Sequence, residues 1–171
     1  MTLVFDAPDN CELLTPAAAV AVCKVLEKRG IHPKIKWVND LFLDGHKVCG
    51  ILSERFVVGE KNIVSIGIGI NLTTSFFPNE LKIAGSINLE CDKKILAEEI
   101  ANALLCEIKE KSIVSEYKKR LFIIGKNIIF SKNNIEYYAK AVDINGNCNL
   151  IAELPDGRLE TLSSGEISIR I

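Results

Sequence analysis

Apolar and polar residues alternate in three segments between Lys34 and Asn71, and this alternation predicts three neighbouring β-strands. Successive side chains of a strand point to opposite faces of the sheet. In the third segment the isoleucines therefore share one face, and Gly67, Gly69 and Asn71 share the other. The isoleucine face can close a hydrophobic core. The glycine face exposes bare backbone, which a ligand can approach closely.

The two preceding segments add a positive charge to this arrangement. Read as one strand, Lys34–Asp40 places Lys34 and Lys36 on the face opposite Trp37, and Gly50 interrupts the next strand. A glycine floor beside a lysine and an amide suits a flat ligand with an anionic end. The same pattern also fits a buried sheet whose glycines only let a helix pack closely, with the lysine solvated at a strand end.

The rest of the chain divides into helical and β-type patterns. A strand over residues 1–5 begins without a lead-in, so we expect the chain to start inside a larger fold. Thr15 is predicted to cap a helix that has Pro16 in its first turn, and Asp92 to cap a second helix. From Ile124 onward, short strands separated by turn residues predict a small five-stranded barrel of the SH3 type.

Short turn motifs predict how these strands are connected. Asp44-Gly45 is typical of a two-residue hairpin turn between the first two strands of the glycine region. Asn145-Gly146 carries the same signal in the C-terminal part of the chain. Further turn residues occur at 132–134 and 155–157.

Composition and charge narrow the classes of function. The chain has 171 residues, of which 48% are hydrophobic and 25% charged, which is typical of a globular domain with a small appendage. Its 21 basic and 22 acidic side chains leave no basic surplus for a sequence-independent grip on nucleic acid. Six cysteines without a Cys-x-x-Cys pair, and only two histidines, argue against a zinc or dithiol site. With no signal peptide or membrane span in the sequence, we expect a cytoplasmic protein.

Four motifs in this chain resemble those of biotin protein ligases, the enzymes that activate biotin with ATP and attach it to a carboxylase lysine. The family's Lys-Trp-Pro-Asn-Asp stands here as Lys36–Asp40, with Val38 in place of the proline. Its Lys-x-x-Gly-Ile-Leu is Lys47–Leu52, and its Ile-Gly-x-Gly-x-Asn is Ile66–Asn71. Its C-terminal Gly-Glu-Ile-Ser-x-Arg is Gly165–Arg170. The motifs occur in the family's order and at matching spacings.

The resemblance implies both a fold and a set of roles. The fold is α+β, with a class II synthetase-like mixed sheet and helices over residues 1–122 and an SH3-like β-barrel over residues 123–171. Lys36 would act in catalysis and contact both the biotin carboxylate and the phosphate of biotinyl-adenylate. The other implied roles are biotin binding for Gly50, Leu52, Gly67 and Gly69, ATP binding for Lys47, Asn71 and Arg170, and a structural role for Trp37, Asn39, Asp40, Gly165 and Glu166. Two of these residues have simpler explanations, since Lys47 could be a solvated hairpin lysine and Arg170 an exposed strand residue.

The resemblance also implies ligands and partners. ATP and biotin would bind, with Mg²⁺ held mainly by the nucleotide and no metal site built by the protein alone. The acceptor would be a biotin carboxyl carrier protein or domain, such as that of acetyl-CoA carboxylase, and a homodimer is compatible with the family. Because the chain carries no helix-turn-helix, we expect it not to bind DNA, and we expect no membrane association.

The chain departs from the family in one functional segment. The family's Gly-Arg-Gly-Arg-x-Gly-Arg loop and its Ser/Thr-Thr-Asn segment precede the strand matched by residues 1–5, and neither occurs in this sequence. That loop supplies cations over the adenylate, so we expect this chain alone to be inactive or to need a partner chain. Two alternatives are a non-catalytic binding protein and a lipoate ligase, and the Gly165–Arg170 motif and Lys36-Trp37 argue against the lipoate ligase.

Overall fold

The computed structural model describes residues 1–8, 10–132, 135–163 and 168–170, the last of these as backbone only. Within these ranges the chain alternates between strands and helices before ending in strands. In order, the elements are β1 (Thr2–Asp6), α1 (Leu14–Glu27), β2 (Lys34–Lys36), β3 (Asp40–Leu43), β4 (His46–Val58), β5 (Lys61–Ile70), α2 (Lys93–Glu107), α3 (Ile113–Arg120), β6 (Asn127–Lys132), β7 (Ile135–Ile144), β8 (Leu150–Glu153), β9 (Leu159–Leu162) and β10 (Ser168–Arg170).

The first five strands form one sheet in the order β1-β5-β4-β3-β2, and every pair of these strands is antiparallel. Helix α1 packs on one face of the sheet, and α2 and α3 pack against α1. Ile66 and Ile68 of β5 are on the α1 side, where they are almost fully buried. Parallel pairing among the described residues is confined to two isolated bridges, Ile35–Leu121 and Lys47–Ala84.

The helix starts were predicted with mixed success. Asp92 caps α2 as predicted, since its Oδ1 accepts hydrogen bonds from the backbone N–H groups of Lys94 and Ile95. The N-cap prediction for Thr15 was wrong, because a 3₁₀ turn at Cys11–Leu13 leads directly into a helix that begins at Leu14. The Thr15 hydroxyl instead donates to Ser53 Oγ on the sheet at 2.9 Å. None of the helices in the described ranges is long and apolar enough to cross a membrane.

One hairpin turn agrees with its sequence-based prediction, whereas one predicted strand and one predicted turn differ from theirs. Asp44 and Gly45 have φ angles of 49° and 81° and form the tight hairpin turn that was predicted. The predicted strand Lys34–Asp40 is interrupted, because β2 ends at Lys36 and β3 starts at Asp40 after a turn. The β7–β8 connection is a five-residue loop rather than a two-residue turn. Asn145 Oδ1 holds this loop by accepting from the N–H groups of Asn147 and Asn149.

The last five strands form a second antiparallel sheet in the order β10-β6-β7-β8-β9. Its inner face is apolar, and Phe130, Leu150 and Leu162 are nearly inaccessible to solvent. The indole N–H of Trp37 donates to the Cys148 carbonyl at 2.8 Å and thereby links the two sheets. The α+β fold class is therefore confirmed, while closure of the second sheet into a barrel and the boundary at residue 122 stay predictions.

The six cysteines are free thiols. Burial raises the pKa of Cys23 and that of Cys49 to about 12, so both thiols are protonated at neutral pH. A protonated buried thiol behaves as a small hydrophobic group. Cys23 and Cys49 therefore serve the packing between α1 and the sheet.

A charged network fastens α3 to α1. Arg120 donates two hydrogen bonds to the Glu27 carboxylate, at 2.8 and 2.7 Å, and one to Glu116 Oε2 at 2.9 Å. The bonds from Arg120 lower the pKa of Glu27, and bonds from Lys119 and Arg120 lower that of Glu116 to about 2. Carboxylates with lowered pKa stabilise the folded state above their unfolded pKa of about 4.3, and this contribution is lost as the pH falls towards 2.

We predict that Arg120→Met destabilises the protein at pH 7 by about 1 kcal/mol or more, after allowance for solvent screening. It should also flatten the loss of stability between about pH 5 and pH 3, because Glu27 then titrates near its unfolded pKa. Urea unfolding at pH 3, 5 and 7 measures both effects. Lys119→Met removes a more exposed partner of Glu116 and is the matched control. An unchanged acid profile in Arg120→Met would contradict the prediction.

Candidate active site

The glycines of β4 and β5 form a bare track on the face of the sheet opposite α1. Gly50 pairs with Gly69, and Leu52 pairs with Gly67. A Cβ built on Gly67 would meet only the Leu52 carbonyl oxygen, at 3.8 Å, and one on Gly69 only the Gly50 carbonyl oxygen, at 3.9 Å. The glycines are therefore not required for packing, and the close-helix explanation fails because α1 lies on the other face.

Lys47 lies at the end of this track because of a β-bulge. Leu41 pairs with Cys49 but Phe42 pairs with Lys47, so Val48 is an extra residue in β4. An extra residue re-aims the side chains that precede it. By strict alternation Lys47 would share the buried face of Cys49. The bulge instead turns it onto the glycine face, where its Cε and Nζ lie 3.5 and 3.6 Å from a Cβ built on Gly50.

Asn39 and Asp40 support Lys47 from the turn between β2 and β3. Asn39 Nδ2 donates to the Ile51 carbonyl at 2.8 Å, and the Ile51 N–H donates to the Asn39 carbonyl at 3.0 Å. This fixes Asp40, whose Oδ1 lies 2.6 Å from Lys47 Nζ. The contact is an ion pair without hydrogen-bond geometry, since this buried oxygen has no hydrogen-bond partner in the part of the chain that the structure describes. The Lys47 ammonium therefore keeps donors for a ligand.

Lys36 lies near the track but not on it. It is the cross-strand partner of Asp40, which in turn pairs with Gly50, so Lys36 is two strands away from the glycines. Its side chain lines a neighbouring cleft of about 460 Å³. Partial burial lowers the pKa of Lys36, with Asp40 raising it and Lys47 lowering it. The two lysines therefore act on each other electrostatically although they face different spaces.

The remaining predicted site residues have structural contacts or lie outside the description. Asn71 Nδ2 donates to the Gly85 carbonyl at 2.9 Å, so the amide holds the loop after β5. Trp37 is buried and bonds to Cys148. Gly165 and Glu166 lie outside the described residues. The backbone of Arg170 pairs with Ile129, and its side chain lies outside the description as well.

Larger clefts occur elsewhere but offer less specific chemistry. One of about 1230 Å³ lies between the helices, where the charged residues that line it include the paired Lys24 and Glu107 and the paired Glu27 and Arg120. Another of about 650 Å³ lies on the C-terminal sheet beside Tyr138 and Pro155. Neither is floored by glycines on paired strands beside an ammonium, since the first has no glycine in its lining and Gly157 of the second lies in a turn. The glycine track with Lys47 is therefore the candidate site.

Two protein-family models match the chain. Residues 3–71 match the Biotin/lipoate A/B protein ligase family, and residues 123–170 match the Biotin protein ligase C terminal domain. The first range contains the glycine track, Lys36 and Lys47, and the second contains the C-terminal sheet. The two matched ranges thus coincide with the two sheets of the fold.

Curated relatives extend the similarity along the chain. Bifunctional ligase/repressor BirA of Bacillus subtilis is 32% identical over 171 residues, which covers 91% of this chain and 52% of the relative. Biotin--protein ligase 2 of Arabidopsis thaliana is 42% identical over 59 residues, covering 33% of this chain and 18% of the relative. This chain spans about half the length of the BirA relative that it matches.

Solved structures share the fold. Biotin protein ligase from Aquifex aeolicus in complex with biotin and ATP has a TM-score of 0.82 at 22% identity, covering 99% of this chain and 77% of that chain. The apo structure from the same organism gives 0.83 at 22% identity and covers 99% and 81%. Both ranges match ligase family models, and the similarity to BirA of Bacillus subtilis extends over 91% of this chain. The chain therefore belongs to the biotin protein ligase family.

Proposed function

We propose that the chain provides the biotin-activating site of a biotin protein ligase. Such an enzyme uses ATP to convert biotin into biotinyl-AMP and then transfers the biotin to a lysine of a carrier protein. The observation that carries this proposal is the bare glycine track with the Lys47 ammonium turned onto its end. The Aquifex aeolicus ligase, which shares the fold, is described as a complex with biotin and ATP, and this supports the same ligands here.

Biotin would lie along the glycine track. Gly50, Gly67 and Gly69 leave space for a flat ring system close to the backbone, and Leu52, with 60% of its surface exposed, offers an apolar wall. The carboxylate of biotin would then point towards Lys47. The contact of Lys47 with the Gly50 end of the track supports this orientation.

The lysine explains how two anions could react. When the biotin carboxylate attacks the α-phosphate of ATP, negative charge develops between groups that repel each other. A fixed ammonium stabilises that charge more in the transition state than in the ground state, and this lowers the barrier. The geometry supports Lys47 for this role, with Lys36 as a second cation two strands away. The family resemblance favours Lys36 for this role, and comparing the rates of Lys47→Gln and Lys36→Gln decides between the two lysines.

Magnesium would arrive with the nucleotide. Among the described residues no group of three or more His, Cys, Asp or Glu side chains could hold a metal ion. Nucleotide phosphates supply most Mg²⁺ ligands in such sites, so a site of this kind needs few ligands from the protein. The ion would neutralise phosphate charge. Asn71 and Arg170 would contribute to the nucleotide site, Asn71 through the loop that it holds at Gly85.

The acceptor would be a biotin carboxyl carrier domain, such as that of acetyl-CoA carboxylase. Six free thiols fit a reducing compartment, and we infer a cytoplasmic location. A homodimer is part of the proposal, whereas DNA binding is not, because the chain carries no basic surplus.

A second candidate is a protein that binds biotin without turnover. The observation that favours it is the openness of the track, since Leu52 and Gly69 are both exposed. An open site admits water and weakens the electrostatic stabilisation of the transition state.

Biotinylation of a carrier domain, followed by mass spectrometry, separates the two candidates. The chain is incubated with ATP, Mg²⁺, biotin and the carrier, with and without a peptide that carries the family's arginine- and glycine-rich loop. Product in either reaction supports a ligase. Biotin binding without product in both reactions supports the binding protein, and absence of biotin binding contradicts both.

Gly67→Ala tests the track directly. The added methyl group meets only the Leu52 carbonyl at 3.8 Å, so we expect the fold to tolerate it. It occupies space that biotin needs, and overpacking of this size costs about 1–3 kcal/mol, so the Kd for biotin should rise at least about fivefold. Isothermal titration calorimetry measures the Kd. Ser65→Ala, two residues away on the same face of β5, is the control, and equal affinities of the two variants would contradict the placement of biotin.

A further inference from the structure

The cleft beside the glycine track carries an unusual set of side chains for its size. It measures about 460 Å³, and its lining includes Lys34, Lys36, Phe42, Asp44, Phe122 and Lys126. We call it the basic cleft. Three of its side chains are ammonium groups and one is a carboxylate, so the cleft has a surplus of positive charge.

Backbone contacts bring these residues together from two distant parts of the sequence. Lys34 pairs with Phe42 across β2 and β3. The segment after α3 is attached to β2 by the Ile35–Leu121 bridge and by a hydrogen bond of 3.1 Å from the Phe122 N–H to the Ile35 carbonyl. The residues that line the cleft therefore belong to two paired strands and to the segment after α3, which hydrogen bonds hold against β2.

Aromatic contacts orient one of the lysines. The Phe42 and Phe122 rings pack at 5.5 Å between centroids with a tilt of 58°. Lys126 Nζ lies 4.8 Å from the centroid of the Phe122 ring, within the range of a cation–π contact. The Lys126 N–H donates to the Ile123 carbonyl at 3.0 Å, which fixes the turn that carries it. Lys126 is thus held over the cleft.

None of the three lysines of the basic cleft forms an ion pair within the described part of the chain, although Asp40 acts on Lys36 at longer range. Other described lysines, such as Lys61 and Lys140, are also without an ion pair, so the distinguishing feature is that three such ammonium groups line one cleft. Burial also lowers the pKa of Lys36. A partly desolvated ammonium without a partner is stabilised by a bound anion. The basic cleft is therefore suited to a polyvalent anion.

The location of the basic cleft indicates which anion this is. In the proposed reaction a biotin carboxylate oxygen forms a bond to the α-phosphorus, and the bond from that phosphorus to the bridging oxygen breaks. The electron pair of the broken bond leaves with pyrophosphate, so the step needs no oxidant and no proton. The attacking and leaving oxygens lie roughly in line. With biotin over β4 and β5 and Lys47 at the reacting phosphate, the leaving group points away from the track, across β3 towards β2. Lys36 is two strand spacings from Gly50, roughly 10 Å.

We propose that the basic cleft, through Lys34, Lys36 and Lys126, binds the pyrophosphate that leaves when biotin is activated. This inference rests on the proposed function, because the direction of departure depends on biotin lying on the glycine track. It assigns Lys34 and Lys126, which belong to none of the ligase motifs found in the sequence, to the nucleotide half of the reaction.

The test is calorimetric titration of the chain with inorganic pyrophosphate and Mg²⁺, and separately with biotin. The double variant Lys34→Gln/Lys126→Gln removes two charges from exposed positions of the cleft. The control Lys61→Gln/Lys140→Gln removes two charges from exposed strand positions outside it. Hydrogen bonds to charged groups are strong enough that the cleft variant should raise the pyrophosphate Kd at least about tenfold. The control should match the wild type, and biotin affinity should be the same in all three proteins.

Other outcomes overturn the inference in distinguishable ways. Equal loss of pyrophosphate affinity in both double variants means that only net charge matters. Biotin binding with no measurable pyrophosphate binding refutes the basic cleft and leaves the proposed function intact. Absence of biotin binding refutes the proposed function, and the leaving-group assignment with it. If the cleft variant weakens binding of an acidic carrier domain but not of pyrophosphate, the cleft is a docking surface for the acceptor instead.

Discussion

Lys47→Gln is expected to slow the formation of biotinyl-AMP by about 10²–10³-fold. Removing one preorganised donor from a site of developing charge has this cost in enzymes of other classes. Glutamine preserves much of the length of the side chain but carries no charge, and its amide can still contact Asp40. Because the ammonium acts mainly where charge develops, the Kd for biotin should change much less than the rate. Single-turnover formation of biotinyl-AMP measures the rate, with the arginine-rich loop peptide present if the chain requires it.

Lys36→Gln is the informative comparison for Lys47→Gln. The two lysines differ in position, since Lys47 contacts the Gly50 end of the track and Lys36 lines the basic cleft. If Lys47 is the group at the reacting phosphate, Lys36→Gln should have the smaller effect on the rate. A larger loss in Lys36→Gln would restore Lys36 as the catalytic lysine, and equal activity of Lys47→Gln and wild type would contradict the proposed mechanism.

Trp37→Ala is expected to lower the free energy of unfolding by about 3–5 kcal/mol, the range found for large aromatic residues in protein cores. The side chain is 5% exposed, and its indole N–H donates to the Cys148 carbonyl at 2.8 Å. Truncation removes packing between the two sheets and leaves that carbonyl without its partner. Urea unfolding followed by circular dichroism measures the loss, because Trp37 is the one tryptophan of the chain and its fluorescence disappears with it.

Two further variants separate the contributions of Trp37. Trp37→Phe keeps a ring and removes the N–H donor, and we expect it to cost about 1–3 kcal/mol less than the full truncation. Phe76→Ala removes an aromatic side chain that is 78% exposed and should change stability by less than about 0.5 kcal/mol. A Trp37→Ala protein as stable as Phe76→Ala would show that the indole does not hold the sheets together.

The glycine track was predictable because it depends on local alternation. Gly67 and Gly69 fall on one face wherever β5 is regular, and β5 is regular from Lys61 to Ile70. The isoleucines on the other face identify the buried side without reference to the rest of the fold. The face argument alone was therefore enough to predict the open floor.

The position of Lys47 was not predictable in the same way. A β-bulge changes the alternation by one residue, and no residue type between Lys47 and Cys49 announces it. Lys36 stays on the glycine face, because it pairs with Asp40, which pairs with Gly50, but it lies two strands from the glycines. The sequence therefore identified both lysines as candidates but could not say which one contacts the glycines.

The basic cleft depends on tertiary contacts that no local pattern contains. Lys126 and Phe122 follow α3, about 80 residues after Phe42, and meet it only because Leu121 and Phe122 attach to β2. Lys34 was noted in the sequence as a cation on the strand face, and its neighbours were not. Contacts of this kind are set by how α3 packs on α1, which periodicity cannot specify.

The extra residue in β4 makes the candidate site sensitive to chain length more than to residue identity. A substitution at Val48 changes packing but keeps the number of residues in β4, so Lys47 stays on the glycine face. A residue inserted between Leu41 and Phe42 would give Val48 a partner, restore strict alternation and direct the ammonium towards α1, where an unpaired charge is strongly disfavoured. Libraries that vary this hairpin for new substrates should therefore randomise its residues at constant length, because an insertion that pairs with Val48 would bury the Lys47 charge and cause a folding defect.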